Sequence, residues 1–172
     1  SDALKSFNPK AYAEALATVV DGVVVFPHST DASSVAPMLA VIKNASLLTN
    51  VVSAPVAVSP FEAKRKSFSG KAFMDAKAHG ENVVVTVSQN SFGVKENPVA
   101  GSEEVKEVSV SAEGLTVVNQ EKSSGKLDLK EAEVVVSAGR GMKGPENWGM
   151  IEELANVLGA ATACSKPVSD IG

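Results

Sequence analysis

Gly139, Gly141 and Gly144 are spaced as G-x-G-x-x-G, with Arg140 between the first two. Such glycines, between a strand and a helix, let bare backbone approach a phosphate or a ribose, and the helix N-terminus favours negative charge. Arg140 would add a permanent cation. An NAD-type site also wants an acidic residue about twenty positions on, to hold the ribose. That region reads Ala163-Cys164-Ser165-Lys166, with a hydroxyl and a second cation instead of a carboxylate. A nucleotide or other anion therefore fits better than an ordinary dinucleotide. On spacing alone a bland alternative is equally open: three glycines making a tight turn, with Arg140 and Lys166 solvated and Ser165 capping local backbone.

The elements that must carry these residues are legible in the same stretch. Val134-Val135-Val136 is a short apolar run and predicts a buried strand. Trp148, Ile151, Leu154, Ala155 and Leu158 recur at helical spacing, which puts Trp148 in the core and Glu152-Glu153 on a solvated face. Gly159 suits the left-handed residue that ends a helix. Ala160 to Cys164 then predicts a second strand, in which Cys164 is a small buried residue. The unit is βαβ, so Arg140 and Lys166 each follow a strand and can reach one crevice.

The run VVVSAGRGMKGPENWGMIEELANVLGAATACSKPVSDIG resembles the start of the flavin-binding domain of electron transfer flavoprotein alpha subunits. That family shows a V-V-S-G-G-R-G run, a G-E-N or P-E-N step, a helix ending in L-G-A, and a Ser-Arg pair before V-D-x-G. Ala138 replaces a glycine and Lys166 replaces the arginine. The likeness extends upstream. FSGKAFMDAKAHGENVVVTVSQNSF resembles the family's Y-A-G-N-A segment, its next strand and its V-R-x-x-S-F step. Val25-Phe26-Pro27 to Ala40 resembles a strand-loop-helix step, with Ala32-Ser33-Ser34 and Met38 in place of the family's glycine-lysine-asparagine run and arginine.

The resemblance implies FAD held between this subunit and an electron transfer flavoprotein beta subunit in a heterodimer. It implies single electrons passed from flavoprotein dehydrogenases, such as acyl-CoA dehydrogenases, to a membrane quinone oxidoreductase. The chain would be a carrier and not an enzyme, because the redox chemistry resides in the FAD. The matching cofactor-binding positions are Arg140, Gly141, Ser165 and Lys166. A cation near the flavin N1 and O2 atoms would stabilise negative charge on the reduced ring. At about 4 Å and an effective dielectric near 20, one unit pair is worth roughly 4 kcal/mol before desolvation. About 1.4 kcal/mol corresponds to roughly 59 mV for one electron, so such a cation would move a potential by tens of millivolts or more.

Family members begin with a complete βαβ unit before anything like Asn8-Pro9. They continue into a G-Q-T-G turn, an S-G-A-I-Q-H segment and an N-K-D-P step, none of which occurs here. The resemblance therefore implies a central fragment, with FAD expected in the full-length parent. Two other classes stay open: an NAD-type nucleotide-binding domain, and a non-catalytic subunit-interaction fragment.

Composition narrows the field. The chain has 172 residues, 44% of them hydrophobic, and a formal charge of −4. That is enough for one core or two small ones. It offers no basic field for nucleic acid and no polybasic tail for a membrane. One cysteine excludes an internal disulfide and suits a reducing compartment. No signal-peptide pattern or membrane-length apolar run is visible, so the expected location is cytoplasmic or its mitochondrial-matrix equivalent, and the Asn44-Ala45-Ser46 glycosylation pattern is discounted. His28 and His79 lack partners at metal-binding spacing, and no metal site is expected.

The fold class expected is α/β: a Rossmann-like, mostly parallel first domain over residues 1–128, and the first βαβ unit of a second nucleotide-binding domain over 129–172. Asn8-Pro9 should start a helix. Val23 to Phe26, without alternation, should be a strand buried on both faces. Ala36 to Ile42 should be a short helix with Pro37 in its first turn. Leu47 to Val58 is β-rich and broken by Pro55. Phe61 to Phe68, turning at Ser69-Gly70 and returning over Lys71 to Ala78, should be half-solvated, with Lys64-Arg65-Lys66 on an edge strand. Asn82 to Val87 is a strong strand, and Val105–Val110 and Leu115–Val118 are further candidates.

Overall fold

The computed structural model describes residues 4–110, 114–119, 129 and 132–170. The chain divides into two compact units, Ser1–Val118 and Asn119–Gly172. The expected boundary near residue 128 lies outside the described residues.

In the first unit, helix α1 (Pro9–Ala17) starts where the cap residues predict. The Asn8 side chain accepts from Lys10 N and Ala11 N, and proline takes the first helical position. Strand β1 (Val23–Pro27) follows. Helix α2 (Thr30–Ile42) begins six residues earlier than expected, because the Ser29 side chain caps it by accepting from Ala32 N. Pro37 is thus inside the helix, not in its first turn; it faces solvent, so the lost bond falls on the wet side. Asn44, at φ 48°, ends α2: Asn44 N donates to Val41 O and Ala45 N to Ala40 O, the paired bonds of a Schellman cap.

The remaining strands are β2 (Ser46–Val51), β3 (Ala57–Val58), β4 (Phe61–Ser67), β5 (Ala72–Lys77) and β6 (Val83–Val87). Strand β6 lies between β1 and β2, parallel to both. Strand β4 extends the sheet in the antiparallel sense, pairing β2 at Val51↔Arg65, β3 at Ala57↔Glu62 and β5 along its whole length. Residues 105–110 and 115–118 are not strands. Val105 and Val118 are almost fully exposed, and no neighbouring strand pairs with them among the described residues.

Alternation along β6 divides the interior. Val84 joins Ala13, Val35, Ala36, Leu39 and Ala40 beneath the helices. Val83 and Val85 point the other way, into a cluster with Leu48, Val51, Phe61, Ala63 and Ala78. β6 is therefore the strand covered on both faces. β1 was expected to be so and is not: Val24 and Phe26 pack under the helices, while Val23 and Val25 are 43% and 61% exposed. The reason is position, since β1 pairs only with β6.

In the second unit, β7 (Val135–Ala138) and β8 (Ala161–Cys164) pair in parallel, and helix α3 (Gly149–Leu158) packs on both. This is the expected βαβ unit. Gly159 adopts φ 61°, and the bonds Gly159 N to Asn156 O and Ala160 N to Ala155 O complete a second Schellman cap. A single turn, α4 (Lys166–Ser169), follows β8.

Candidate functional site

The pairing of β7 with β8 aligns Ala138 with Cys164. Both strands therefore end at one edge, and Ser165 N reaches Ala138 O at 3.3 Å. Gly139-Arg140-Gly141 leaves that edge from one strand and Ser165-Lys166 from the other. Two 3₁₀ turns, Arg140–Met142 and Pro145–Asn147, carry the chain from β7 to α3. Beside them lies a cleft of about 570 Å³, lined among others by Gly139, Arg140, Lys143, Trp148, Glu152 and Cys164.

Glycines that merely tighten a turn would supply its positive φ or its close contacts. Neither holds here. The positive φ in this turn belongs to Lys143 (φ 68°, ψ −50°), whose neighbours close it through Gly144 N donating to Met142 O at 2.8 Å. Gly139 has φ −121°, open to any residue. A Cβ added at Gly139 or Gly141 would meet no atom within 4 Å. The backbone at both positions is thus open, and Gly139 borders the cleft. At Gly144 an added Cβ would meet the Glu146 carboxylate, a movable group.

Of the four expected positions, Arg140 lines the cleft and Gly141 lies in the turn between two lining residues. Ser165 and Lys166 stand one and two residues beyond Cys164, which also lines it. Ser165 precedes α4 but its side chain makes no capping bond, so the hydroxyl is not consumed by local backbone. The Lys166 ammonium pairs with Asp170 Oδ1 at 3.2 Å and is largely exposed. Two expectations are corrected. Trp148 is half-buried and lines the cleft instead of filling a core, because among the described residues α3 packs on just the two strands β7 and β8. Cys164 is exposed, because it ends its strand at the open edge. Lys143 was overlooked in the sequence; its only signal is its place between Gly141 and Gly144, and nothing in residue type marks its backbone.

Elsewhere, His28 Nδ1 lies 2.8 Å from Thr86 Oγ1. No group of three or more His, Cys, Asp or Glu side chains suited to a metal occurs among the described residues. No described helix is long and apolar enough to cross a membrane.

Two α/β units, the second with an open glycine turn and a cation at the carboxyl edge of its strands, follow the plan of nucleotide-binding proteins. Residues 1–113 match the electron transfer flavoprotein domain, and residues 128–172 match the electron transfer flavoprotein FAD-binding domain. The chain belongs to the electron transfer flavoprotein family, among its alpha subunits. It is 28% identical over 174 residues to the electron transfer flavoprotein subunit alpha of Bacillus subtilis, covering 97% of this chain and 54% of that protein. The subunit alpha of Syntrophomonas wolfei is 31% identical over 180 residues, covering 99% and 56%. Protein FixB of Escherichia coli O127:H6 is 27% identical over 167 residues, covering 92% and 53%. The chain thus spans about half the length of these relatives.

Proposed function

We propose that this chain is the part of an electron transfer flavoprotein alpha subunit that meets the flavin. One observation carries the reading. Two parallel strands deliver a glycine-flanked turn that carries Arg140, and the Ser165-Lys166 step, to a single edge, beside a cleft of about 570 Å³. FAD, when bound, supplies the one-electron chemistry. The chain's own residues position and polarise. Bare backbone at Gly139 and Gly141 admits a flat ring or a phosphate. The Arg140 guanidinium offers a fixed charge beside that space. The Ser165 hydroxyl is placed to donate a hydrogen bond at the same edge. Lys166 contributes less, since Asp170 already neutralises part of its charge.

The full subunit would pair with a beta subunit and carry electrons from flavoprotein dehydrogenases, acyl-CoA dehydrogenases among them, towards a quinone oxidoreductase. It would do so in the cytoplasm or the mitochondrial matrix. Its domain boundary, near residue 128, would separate the subunit-contact domain from the flavin domain.

The test is a visible spectrum and a flavin titration of the full-length heterodimer. Flavin bands should survive desalting in the wild type. Arg140→Ala should weaken FAD binding by roughly 10-fold or more, the scale of one lost charge-assisted contact. The bound flavin's potential should also fall by tens of millivolts. Lys166→Ala should do less on both counts. An Arg140→Ala protein with unchanged affinity and potential would refute the assignment.

A further inference from the structure

Arg65 and Lys66 carry charge that the first unit leaves uncompensated. Register sets their place. Pro27 pairs with Val87, Val87 with Val51, and Val51 with Arg65, so Arg65 falls in the row where the parallel strands β1, β6 and β2 end. Both side chains are half-buried. Neither enters an ion pair among the described residues, whereas Lys43 meets Asp21 and Lys77 meets Glu62 on the same unit. Their partners are hydroxyls instead: Arg65 Nη2 donates to Thr49 Oγ1 at 2.9 Å, and Lys66 Nζ to Ser88 Oγ at 3.0 Å. A guanidinium has five N–H donors and an ammonium three, so most of both sets is unused. Arg65 Nε is buried and has no acceptor among the described residues.

Cations withdrawn from water are normally matched by a carboxylate. A hydroxyl accepts a hydrogen bond but carries no charge, so what this edge lacks is an anion. Its neighbours add donors rather than acids. Thr86 is fully buried, and its Oγ1 accepts from Asn50 N at 2.9 Å. Among the described residues His28 Nδ1, at 2.8 Å, is then the acceptor left for the Thr86 proton. That leaves the hydrogen of the neutral imidazole on Nε2, as a further donor. The carboxyl ends of parallel strands are also where open α/β sheets take ligands. Two uncompensated charges match a dianion, whereas a carboxylate would neutralise only one. Phosphate supplies that charge together with oxygens for several donors.

We propose that the carboxyl edge of β1, β6 and β2 is an oxyanion site for a phosphate group, free or at the end of a phosphomonoester, with Arg65 and Lys66 as its charges. The chain has two arginines, Arg65 and Arg140. Their Nε–H groups therefore give two NMR signals, one for each candidate site. Titration of the whole chain with inorganic phosphate at constant ionic strength should move the Arg65 signal along a saturable curve. Arg140→Ala removes the other signal and should leave that curve unchanged, which keeps the result independent of the flavin reading. Lys66→Gln should weaken phosphate binding by about 10-fold, the scale of one lost charge-assisted hydrogen bond, while Arg65 remains to report it. Glycerol 3-phosphate distinguishes the two sources: affinity at or above that of phosphate assigns the site to phosphomonoesters, and weaker binding assigns it to the free ion. An Arg65 signal that stays still in phosphate, or moves equally in chloride at the same ionic strength, would overturn the inference. Wild-type affinity in Lys66→Gln would overturn it as well.

Discussion

In the first unit β6 runs between two neighbours with helices on one face and a second apolar cluster on the other, whereas among the described residues of the second unit β7 and β8 pair with each other and pack against α3. The buried apolar residues differ accordingly. The first unit buries Leu39, Leu48, Val51, Phe61, Val83, Val84 and Val85, among others; among the described residues of the second, Ala155 and Ala161 are the buried apolar ones. Leu154, Val157 and Leu158 on α3 are 49%, 83% and 52% exposed. Stability comes mainly from apolar area removed from water. The unit with the densest interior therefore lacks the candidate flavin edge, and the unit with that edge is held chiefly by local rules: a parallel pair, two 3₁₀ turns and a glycine cap.

The sharpest way to break this contrast is to truncate a leucine in each unit. Leu39 is fully buried beneath the helices. Leu39→Ala should cost about 2–5 kcal/mol, the transfer term plus the cavity left behind. Leu154→Ala removes a side chain that is already half in water and should cost well under half as much. Urea denaturation of the two variants, followed by circular dichroism, measures both. Equal losses would mean that the second unit has a core its exposed residues conceal.

Features governed by a few adjacent residues were legible in the sequence. Asn8-Pro9 begins α1, Gly159 ends α3, and the order of strand, glycine turn, helix and strand in the last forty residues is as expected. Features governed by neighbours distant in sequence were not. VVVF in β1 and VVVTV in β6 have the same apolar character, yet only β6 has a strand on either side. Lys64-Arg65-Lys66 suggested an edge strand, but β4 is paired on both edges. There Arg65 Nη2 donates to Thr49 Oγ1 at 2.9 Å and Lys66 Nζ to Ser88 Oγ at 3.0 Å. The glycine spacing at 139, 141 and 144 pointed to the right edge, but residue type alone could not place the turn's positive φ on Lys143.

A smaller effect tests whether the second unit depends on local geometry. Gly159 closes α3 in the left-handed region, where a Cβ costs roughly 1–2 kcal/mol. No atom lies within 4 Å of that Cβ, so Gly159→Ala isolates the backbone term from any clash. The loss should appear as faster amide exchange along α3 and β8, with protection in β6 unchanged. Faster exchange in β6 as well as in α3 would contradict the separation of the units.

The smallest effect concerns how the helices begin. Asn8 and Ser29 cap α1 and α2 with side-chain oxygens, while Trp148 at the start of α3 makes no such bond. Asn8→Ala should therefore cost about 1 kcal/mol, the usual loss for a capping side chain. Asn8→Ser should recover most of it, because a serine oxygen can accept the same N–H. Trp148→Ala removes no cap, so any loss there reports packing beside the cleft. If Asn8→Ala proves silent in a thermal melt, the burial of α1 against α2 outweighs its cap, and the first unit rests on its interior even where the sequence signals a local device.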